Sequence, residues 1–252
     1  MAQVKAISIS PRKGMRKENI PAGEFVAAFG LNQDAHAGDW HRQVSLLAQE
    51  SINSMREKGL EVSAGNFAEN ITTEDLDLTV LPVGSHLQLG EVELIVSQLG
   101  KICHHRCAIY HQAGDCVMPR EGIFAVVLKG GTIRVGDPIS VSTKRSTAAA
   151  VVSSAELLES AGSALTLAVN ARFGSAFTRL DAFTAREGGG MTAILADLVD
   201  TQAIERIVIV DPSGGQAMAL AGWASSTERK NRYHRKKSII DYCRQIDEVA
   251  RL

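Results

Sequence analysis

The chain of 252 residues has no charge imbalance to speak of: 27 Lys and Arg against 28 Asp and Glu leave a formal net charge of -1. No overall field therefore recruits nucleic acid or an anionic membrane surface. It has no apolar run near the roughly 20 residues that a membrane-spanning helix needs. The start, Met1-Ala2-Gln3-Val4-Lys5, lacks the charged-then-apolar layout of a secretory signal. These absences lead to the expectation of a soluble cytoplasmic protein with neither membrane nor nucleic acid as partner. Cysteine is scarce, with four in all, yet Cys103, Cys107 and Cys116 fall within fourteen residues. In a cytoplasmic chain such clustering points away from disulfides, toward metal binding, redox or nucleophilic chemistry. Cys243, alone in an amphipathic segment, reads as a small buried hydrophobe.

With 45% hydrophobic and 22% charged residues the composition is globular, which argues against disorder. Up to about residue 143, glycine punctuates short β-favouring runs: Val4-Ile9, Val92-Leu99, Gly122-Leu128 and Ile133-Val141. Gly84-Ser85, Leu89-Gly90-Glu91, Lys129-Gly130-Gly131 and Val135-Gly136-Asp137-Pro138 supply turns. Many short strands with regular turns predict an antiparallel barrel. One helix is expected within Val44-Gly59, where Leu47, Ile52 and Met55 recur at rough helical spacing.

Lys144-Arg145-Ser146-Thr147 reads as a linker, and composition changes after it. Ala148-Ala161 and Ala164-Ala171 are rich in alanine and leucine, with Gly162-Ser163 as a break between two helices. Met191-Val199 reads as a helix, Ile207-Val210 as a buried strand, Gln216-Trp223 and Ser238-Leu252 as further helices. The expected fold class is mainly β: a barrel-like domain over residues 1–145, then a smaller α/β domain over residues 146–252.

The chemistry concentrates in Gly100-Phe124, which holds three thiols, three histidines (His104, His105, His111), two arginines and Lys101. A thiol is a nucleophile or soft-metal ligand only as the thiolate, and neighbouring cations enrich that form. Arg106 precedes Cys107 directly, with His104 and His105 close by, so Cys107 is the better activated thiol. Cys116 has one anionic neighbour, Asp115, and a cation at Arg120. A zinc site using Cys103, Cys107, Cys116 and a histidine is a second reading, although C-x3-C-x8-C is not the usual pair of C-x2-C knuckles. A structural role for the cysteines is the third.

Upstream, His36 and His41 flank Trp40 and precede Arg42, with Asp34 and Asp39 nearby. Such a cationic, aromatic-lined loop can bind a phosphate or carboxylate and help deprotonate a thiol. Alternatively the aspartates organise a turn and the histidines are surface residues. Asn66, Glu69 and Asn70 either orient a substrate or hold a bulge. Arg120 and Glu121 are candidates for anion binding and proton transfer. In the second domain, Arg229-Lys237 has six Lys or Arg in nine residues, and a solvated helix face explains it better than RNA binding. Ser213-Gly214-Gly215 lacks a full dinucleotide or Walker pattern.

Five segments in order carry a resemblance. Asp34-Ala-His-Ala-Gly-Asp-Trp-His-Arg-Gln-Val-Ser-Leu-Leu47, Gly65-Asn-Phe-Ala-Glu-Asn-Ile-Thr-Thr73 and Leu81-Pro-Val-Gly84 come first. The Cys-x-x-x-Cys run with Gly114-Asp115-Cys116-Val117-Met118-Pro119-Arg120-Glu121-Gly122-Ile123-Phe124, then Gly130-Gly131-x-Ile-Arg-Val-Gly-Asp137, follow. Together they resemble the MOSC domain family, the molybdenum cofactor sulfurase C-terminal domain, over residues 1–143. The resemblance implies a β-barrel-like fold and a role in sulfur or molybdenum cofactor chemistry. In the amidoxime-reducing members a cysteine after an arginine holds the pterin-bound metal. Arg106-Cys107 matches that pattern, so Cys107 would be the ligand if molybdenum is bound, or the sulfur carrier. Those reductases also carry an N-terminal β-domain for the pterin, and no room for one is seen before residue 1.

The resulting expectation is an enzyme of sulfur transfer or carbon–sulfur-bond chemistry. Cys107 is its working thiolate, Cys103 and Cys116 are further sulfur-handling thiols, and His36 and His41 assist. Arg42, Asn66, Lys101, His104, Arg106, Arg120 and Glu121 would hold substrate or cofactor. A small sulfur-containing or pterin ligand and a sulfur-donor protein are the expected partners, and molybdopterin the cofactor. No Schiff-base lysine motif calls for pyridoxal phosphate. The other reading is a carrier module that binds molybdopterin without turning it over. Iodoacetamide near neutral pH is expected to label Cys107 ahead of Cys243, read by peptide mass spectrometry. Faster labelling of Cys243 would remove the charge argument for Cys107.

Overall fold

The computed structural model describes residues 1–100, 108–182, 194–195, 197–199, 201–204, 206–210, 217–221 and 249–250. The chain forms two compact units, Met1–Arg145 and Ser146–Leu252.

The first unit is mainly β. Its large sheet has eight strands: β1 (Gln3–Ile9), β2 (Glu18–Ile20), β5 (Val44–Ala48), β6 (Ile71–Glu74), β7 (Ser85–Leu89), β8 (Val92–Leu99), β9 (Ile123–Lys129) and β11 (Ile139–Arg145). They run in the order β11-β7-β8-β9-β5-β6-β1-β2. A second sheet sets β10 (Gly131–Arg134) and β4 (Gly30–Leu31) on either side of β3 (Ala22–Val26). The large sheet curls back on itself. β2 covers only the Ile7-to-Ile9 half of β1. On the other half, Val4 N–H donates to Asp137 O at 2.9 Å and Gly136 N–H to Val4 O at 2.8 Å, just ahead of β11 at the opposite edge. Joining distant edges in this way leaves few strand edges open to other chains.

Curling makes one face an interior. Val44, Leu46, Ile71, Leu87, Leu94, Val96, Ile123 and Ala125 fill it. The outer face is covered by α1 (Gln49–Glu57) and α2 (Ala108–Ala113). There Leu47 and Phe124 meet Ile52 and Met55 of α1 and Ile109 of α2. Successive residues of a strand point to opposite faces, so a strand buried on both sides loses its alternation. That corrects the single helix expected over Val44-Gly59. All of Val44–Ala48 is buried strand, and the helix begins only at Gln49. Leu47, Ile52 and Met55 share a cluster because strand and helix face each other. The helix carries the chain from β5 to its parallel neighbour β6.

The second unit has a sheet in the order β13-β12-β14-β15-β16, formed by β12 (Ala148–Ser153), β13 (Phe177–Ala182), β14 (Arg206–Val210), β15 (Ala217–Ala221) and β16 (Val249–Ala250). β12 is parallel to both of its neighbours. α3 (Ala155–Phe173) connects β12 to β13, which makes the unit α/β. Several expectations are corrected here. Ala148–Ser153 is a strand, because a central position with Ala149 to Val152 fully buried outweighs alanine's helix preference. Gly162-Ser163 does not break α3. A Cβ at Gly162 would come within 2.8 Å of Leu180 Cδ1, so glycine there lets helix and strand approach. The segment expected as a helix over Gln216-Trp223 contains strand β15, and Val249–Ala250 is strand β16. Residues 194–195 and 197–199 are helical. Ser213-Gly215, the basic run Arg229-Lys237 and Cys243 lie outside the described residues.

Gly100, just after β8, has φ +70°, and a Cβ there would strike the carbonyl oxygen of Pro119. Gly136 has φ +92° with open space around it. Gly136→Ala should cost only the left-handed backbone penalty, about 1–2 kcal/mol. Gly100→Ala should cost more, because backbone must also move. Urea unfolding midpoints that show equal losses would refute the steric argument.

Candidate functional site

The chain between β4 and β5 folds around Asp34. Its Oδ2 accepts from Lys17 Nζ at 2.5 Å and from Ser10 N–H at 3.0 Å. Its Oδ1 accepts from His36 N–H at 3.0 Å and lies 3.4 Å from His36 Nδ1. Both charged side chains of the Lys17–Asp34 pair are 1% exposed. Burial alone would raise the Asp34 carboxyl. The Lys17 ammonium and the two N–H donors outweigh burial and hold it below the usual carboxylate range. Next along the loop, the Trp40 indole donates to His36 O at 3.0 Å. Arg42 lies with its guanidinium carbon 5.3 Å from the Trp40 ring centre and 5.7 Å from that of Phe124. An arginine between two aromatic faces is held in place while keeping its charge.

His41 is buried and its Nε2 meets Gln98 Oε1 at 3.0 Å. Gln98 in turn donates through Nε2 to Gly100 O at 2.8 Å, and Gly100 N–H donates to Gly122 O at 2.8 Å. The hydroxyl of Ser97 donates to His41 O. His41 is therefore engaged at the C-terminal end of β8, next to the turn that precedes β9. Lys101, Cys103, His104, Arg106 and Cys107 begin directly after Gly100 and lie outside the described residues.

The other expected residues gather elsewhere. Cys116 is buried in the apolar layer under α1 and α2, with Met55, Leu60 and Met118. Arg120 is turned to Asp115 through two contacts at 2.7 and 3.1 Å, and Lys58 reaches the same carboxylate at 2.6 Å. These hydrogen bonds, Arg120's first, hold Asp115 far below the ordinary carboxylate range. Glu121 lines a separate cleft of about 420 Å³ with Glu50, Asp75 and Asp77. Asn66 Oδ1 accepts from Ser63 N–H at 3.3 Å and holds a surface turn. Glu69 and Asn70 are buried. Glu69 accepts from Gly65 N–H at 2.6 Å and Phe67 N–H at 3.0 Å, while Asn70 links Ser45 to Ser8.

Geometry thus brings His36, Trp40, His41, Arg42 and Phe124 together at one end of β8, with Arg120 and Glu121 engaged in other clusters. Lys17 and Gln98 are the site residues that local sequence reading missed. Their partners lie 17 and 57 residues away, so no motif carries them. Among the described residues no group of three or more His, Cys, Asp or Glu is arranged to hold a metal ion. Also among them, no helix is long and apolar enough to cross a membrane.

Comparison with known proteins gives a family match and a set of similar folds. Residues 33–140 match the family model described as MOSC domain. No curated protein matches the chain. Among solved structures the chain is similar to the YUAD protein of Bacillus subtilis, at 18% identity over 56% of this chain and 94% of that one, TM-score 0.49. It is also similar to YiiM of Geobacillus stearothermophilus, at 20% identity over 56% of this chain and 75% of that one, TM-score 0.44. YiiM of Escherichia coli is similar at 18% identity, over 58% and 72%, TM-score 0.43.

Breaking a buried ion pair on one side leaves an uncompensated charge, which costs about 3–5 kcal/mol. Lys17→Met should lose stability on that scale. Lys17→Met with Asp34→Leu should recover part of it, but not all, because the N–H groups of Ser10 and His36 then lack their acceptor. Urea denaturation of both singles and the double measures the coupling. A double mutant as unstable as the sum of the singles would show that the pair contributes nothing jointly.

Proposed function

The first unit of this chain carries a MOSC domain, and on that premise we propose that it performs sulfur-transfer or carbon–sulfur-bond chemistry through the thiolate of Cys107, linked to molybdenum cofactor metabolism. The observation that carries the reading is that the family match spans the Arg106-Cys107 pair together with the His36-to-Arg42 loop. Three features support it: the cationic neighbours of Cys107 in sequence, the stacked guanidinium of Arg42, and the buried position of Cys116. A thiolate needs cationic surroundings and access, and Cys116 is packed among apolar side chains.

In this reading the Cys107 thiolate attacks the outer sulfur of a donor persulfide. The donor leaves as its thiolate, Cys107 becomes the persulfide, and the sulfur passes next to an acceptor. Arg42 binds an anionic part of the substrate. Arg120 keeps the Asp115-to-Glu121 turn in shape through its ion pair.

The donor set suits the molybdenum cofactor in two respects: a soft sulfur ligand in Cys107, and in Arg42 a cation flanked by aromatic rings that can meet a phosphate and a planar pterin. When bound, the group would supply two-electron atom transfer. Carriage of that cofactor without turnover is the second reading.

Cys107→Ser should abolish persulfide formation and cofactor retention with an unchanged melting temperature, since serine is nearly isosteric but stays protonated near neutral pH. Cys116→Ser should instead lower the melting temperature, because it places a hydroxyl in an apolar layer at a cost of about 1–3 kcal/mol. Persulfide mass spectrometry, molybdenum analysis and pterin fluorescence on purified protein read the result. Molybdenum and pterin that depend on Cys107, without persulfide, would favour the carrier. A fully active Cys107→Ser beside a folded but dead Cys116→Ser would move the nucleophile to Cys116.

A further inference from the structure

Away from the His36-to-Arg42 loop, α1 and the chain after β6 enclose the cleft of about 420 Å³ that Glu121 also lines. Clefts of that size commonly hold small ligands. One wall is α1, where Ser51 and Ser54 are a helical turn apart and share a face. The other is Asp75–Thr79, which leads into the short 3-10 helix Leu78–Val80. Ala48, Leu76 and Leu78 give the cleft an apolar part that packs on the core of the sheet. Its charges are of one sign: Glu50, Asp75, Asp77 and Glu121, and among the described residues no lysine, arginine or histidine lines it. These carboxylates are only partly engaged. Glu50 Oε1 accepts from Asp75 N–H at 2.9 Å, and Asp77 Oδ1 accepts from the N–H and hydroxyl of Thr79 at 2.9 and 2.6 Å. Asp75 Oδ2 meets the Met1 ammonium at 3.1 Å, and Glu121 stands 4.0 Å from Arg120. Ser51 is an independent sign. It is only 7% exposed, and the little surface it keeps faces the cleft. Its carbonyl oxygen accepts from Ser54 Oγ at 2.8 Å, but its hydroxyl has no partner among the described residues, which buried hydroxyls seldom lack.

We propose that this cleft binds a linear aliphatic polyamine, its ammonium groups held by the carboxylates and the Ser51 hydroxyl and its methylene chain laid against Ala48, Leu76 and Leu78. Three observations select that class. A lining with charges of one sign attracts cations and repels anions. A bound metal ion needs several oxygens converging on one point, and no three carboxylates are so arranged among the described residues. Carboxylates spread around a cleft instead match ammonium groups spread along a chain. The apolar part, which a hydrated metal ion cannot use, covers the methylenes between them. An ammonium has three donors and no acceptor, so it suits carboxylate oxygens and the lone pairs of an uncommitted hydroxyl. Nothing in this inference depends on the thiol chemistry of Cys107.

Isothermal titration calorimetry of the whole chain with spermidine, n-butylamine and magnesium chloride tests the assignment. Spermidine should bind saturably, and n-butylamine, with a single ammonium, at least about tenfold more weakly. Glu50→Gln combined with Glu121→Gln should weaken spermidine by about tenfold or more. Glu61→Gln, which removes an exposed carboxylate outside the cleft, should leave its affinity unchanged. Ser51→Ala should weaken spermidine while the melting temperature stays at or above that of the wild type, because no hydrogen bond within the chain is lost. A lower melting temperature with unchanged affinity would make Ser51 a structural residue and overturn its part in binding. The proposal as a whole is overturned by a lack of saturable binding, or by Glu61→Gln weakening spermidine as much as the cleft variants do. Displacement of spermidine by magnesium at equal concentration also overturns it, since the cleft would then be a metal site. The comparison of the three ligands uses the wild-type protein, so a variant that fails to fold does not spoil the test.

Discussion

An ammonium and a carboxylate withdrawn from water hold together three stretches of chain in the first unit. Ser10 follows β1, Lys17 precedes β2, and Asp34 opens the loop that carries His36, Trp40, His41 and Arg42. All three meet at one carboxylate. Removing such a pair from water is expensive, and its attraction repays the cost only when the remaining lone pairs are also satisfied. Asp34 meets that condition, with donors on both oxygens. Its geometry propagates outward: Asp34 fixes the His36 backbone, His36 O fixes the Trp40 indole, and Trp40 supports Arg42.

The second constraint is that the central strands of the large sheet are buried on both faces. One face closes into an interior because β1 meets the segment before β11, and the other lies beneath two short helices. Cys116 belongs to that outer layer, so its packing and the placement of α2 are one problem. At the end of β8, His41, Gln98 and Gly100 form a continuous hydrogen-bonded path. Gly100 is also where backbone approach leaves no space for a side chain. Rigid strand ends thus present the polar loop residues.

What was legible in the sequence follows from the range of each interaction. β8 was read to the residue, because eight β-favouring residues are bounded by Gly90-Glu91 and Gly100. Val44–Ala48 was not, since burial on both faces erases the alternation that identifies a strand. Ala148–Ser153 was misread for the opposite reason: alanine's local preference was clear, and a central parallel position overrode it. The His36-to-Arg42 cluster is local and stood out at once. Its supports did not, because Lys17 and Gln98 gain meaning only when the fold brings them to Asp34 and His41. Arg120 has the right residue type for anion binding, and in the structure its guanidinium pairs with Asp115.

Asp34 and Glu69 show how the same burial has opposite consequences depending on what answers the charge. Glu69 is fully buried like Asp34, but its partners are N–H groups and a hydroxyl, and burial prevails to push its carboxyl above the ordinary value of 4.5. Asp34 has Lys17 and lies below 3.8. As pH falls through the range below 3.8, the unfolded Asp34 takes a proton that the folded one refuses, and the stability it contributes is lost. As pH rises above 4.5, the unfolded Glu69 loses a proton that the folded one retains, and its contribution declines until the folded carboxyl ionises too. Under neutral conditions, then, Asp34 contributes fully while Glu69 is a cost. The turn at Gly65–Phe67 needs an acceptor for both of its N–H groups, and a carboxyl group satisfies both from one side chain. A glutamine at position 69 would place an amide N–H against one of those donors. Burial of the Glu69 carboxyl is therefore tolerated for the shape of a turn, whereas the charge at Asp34 is answered by the Lys17 ammonium.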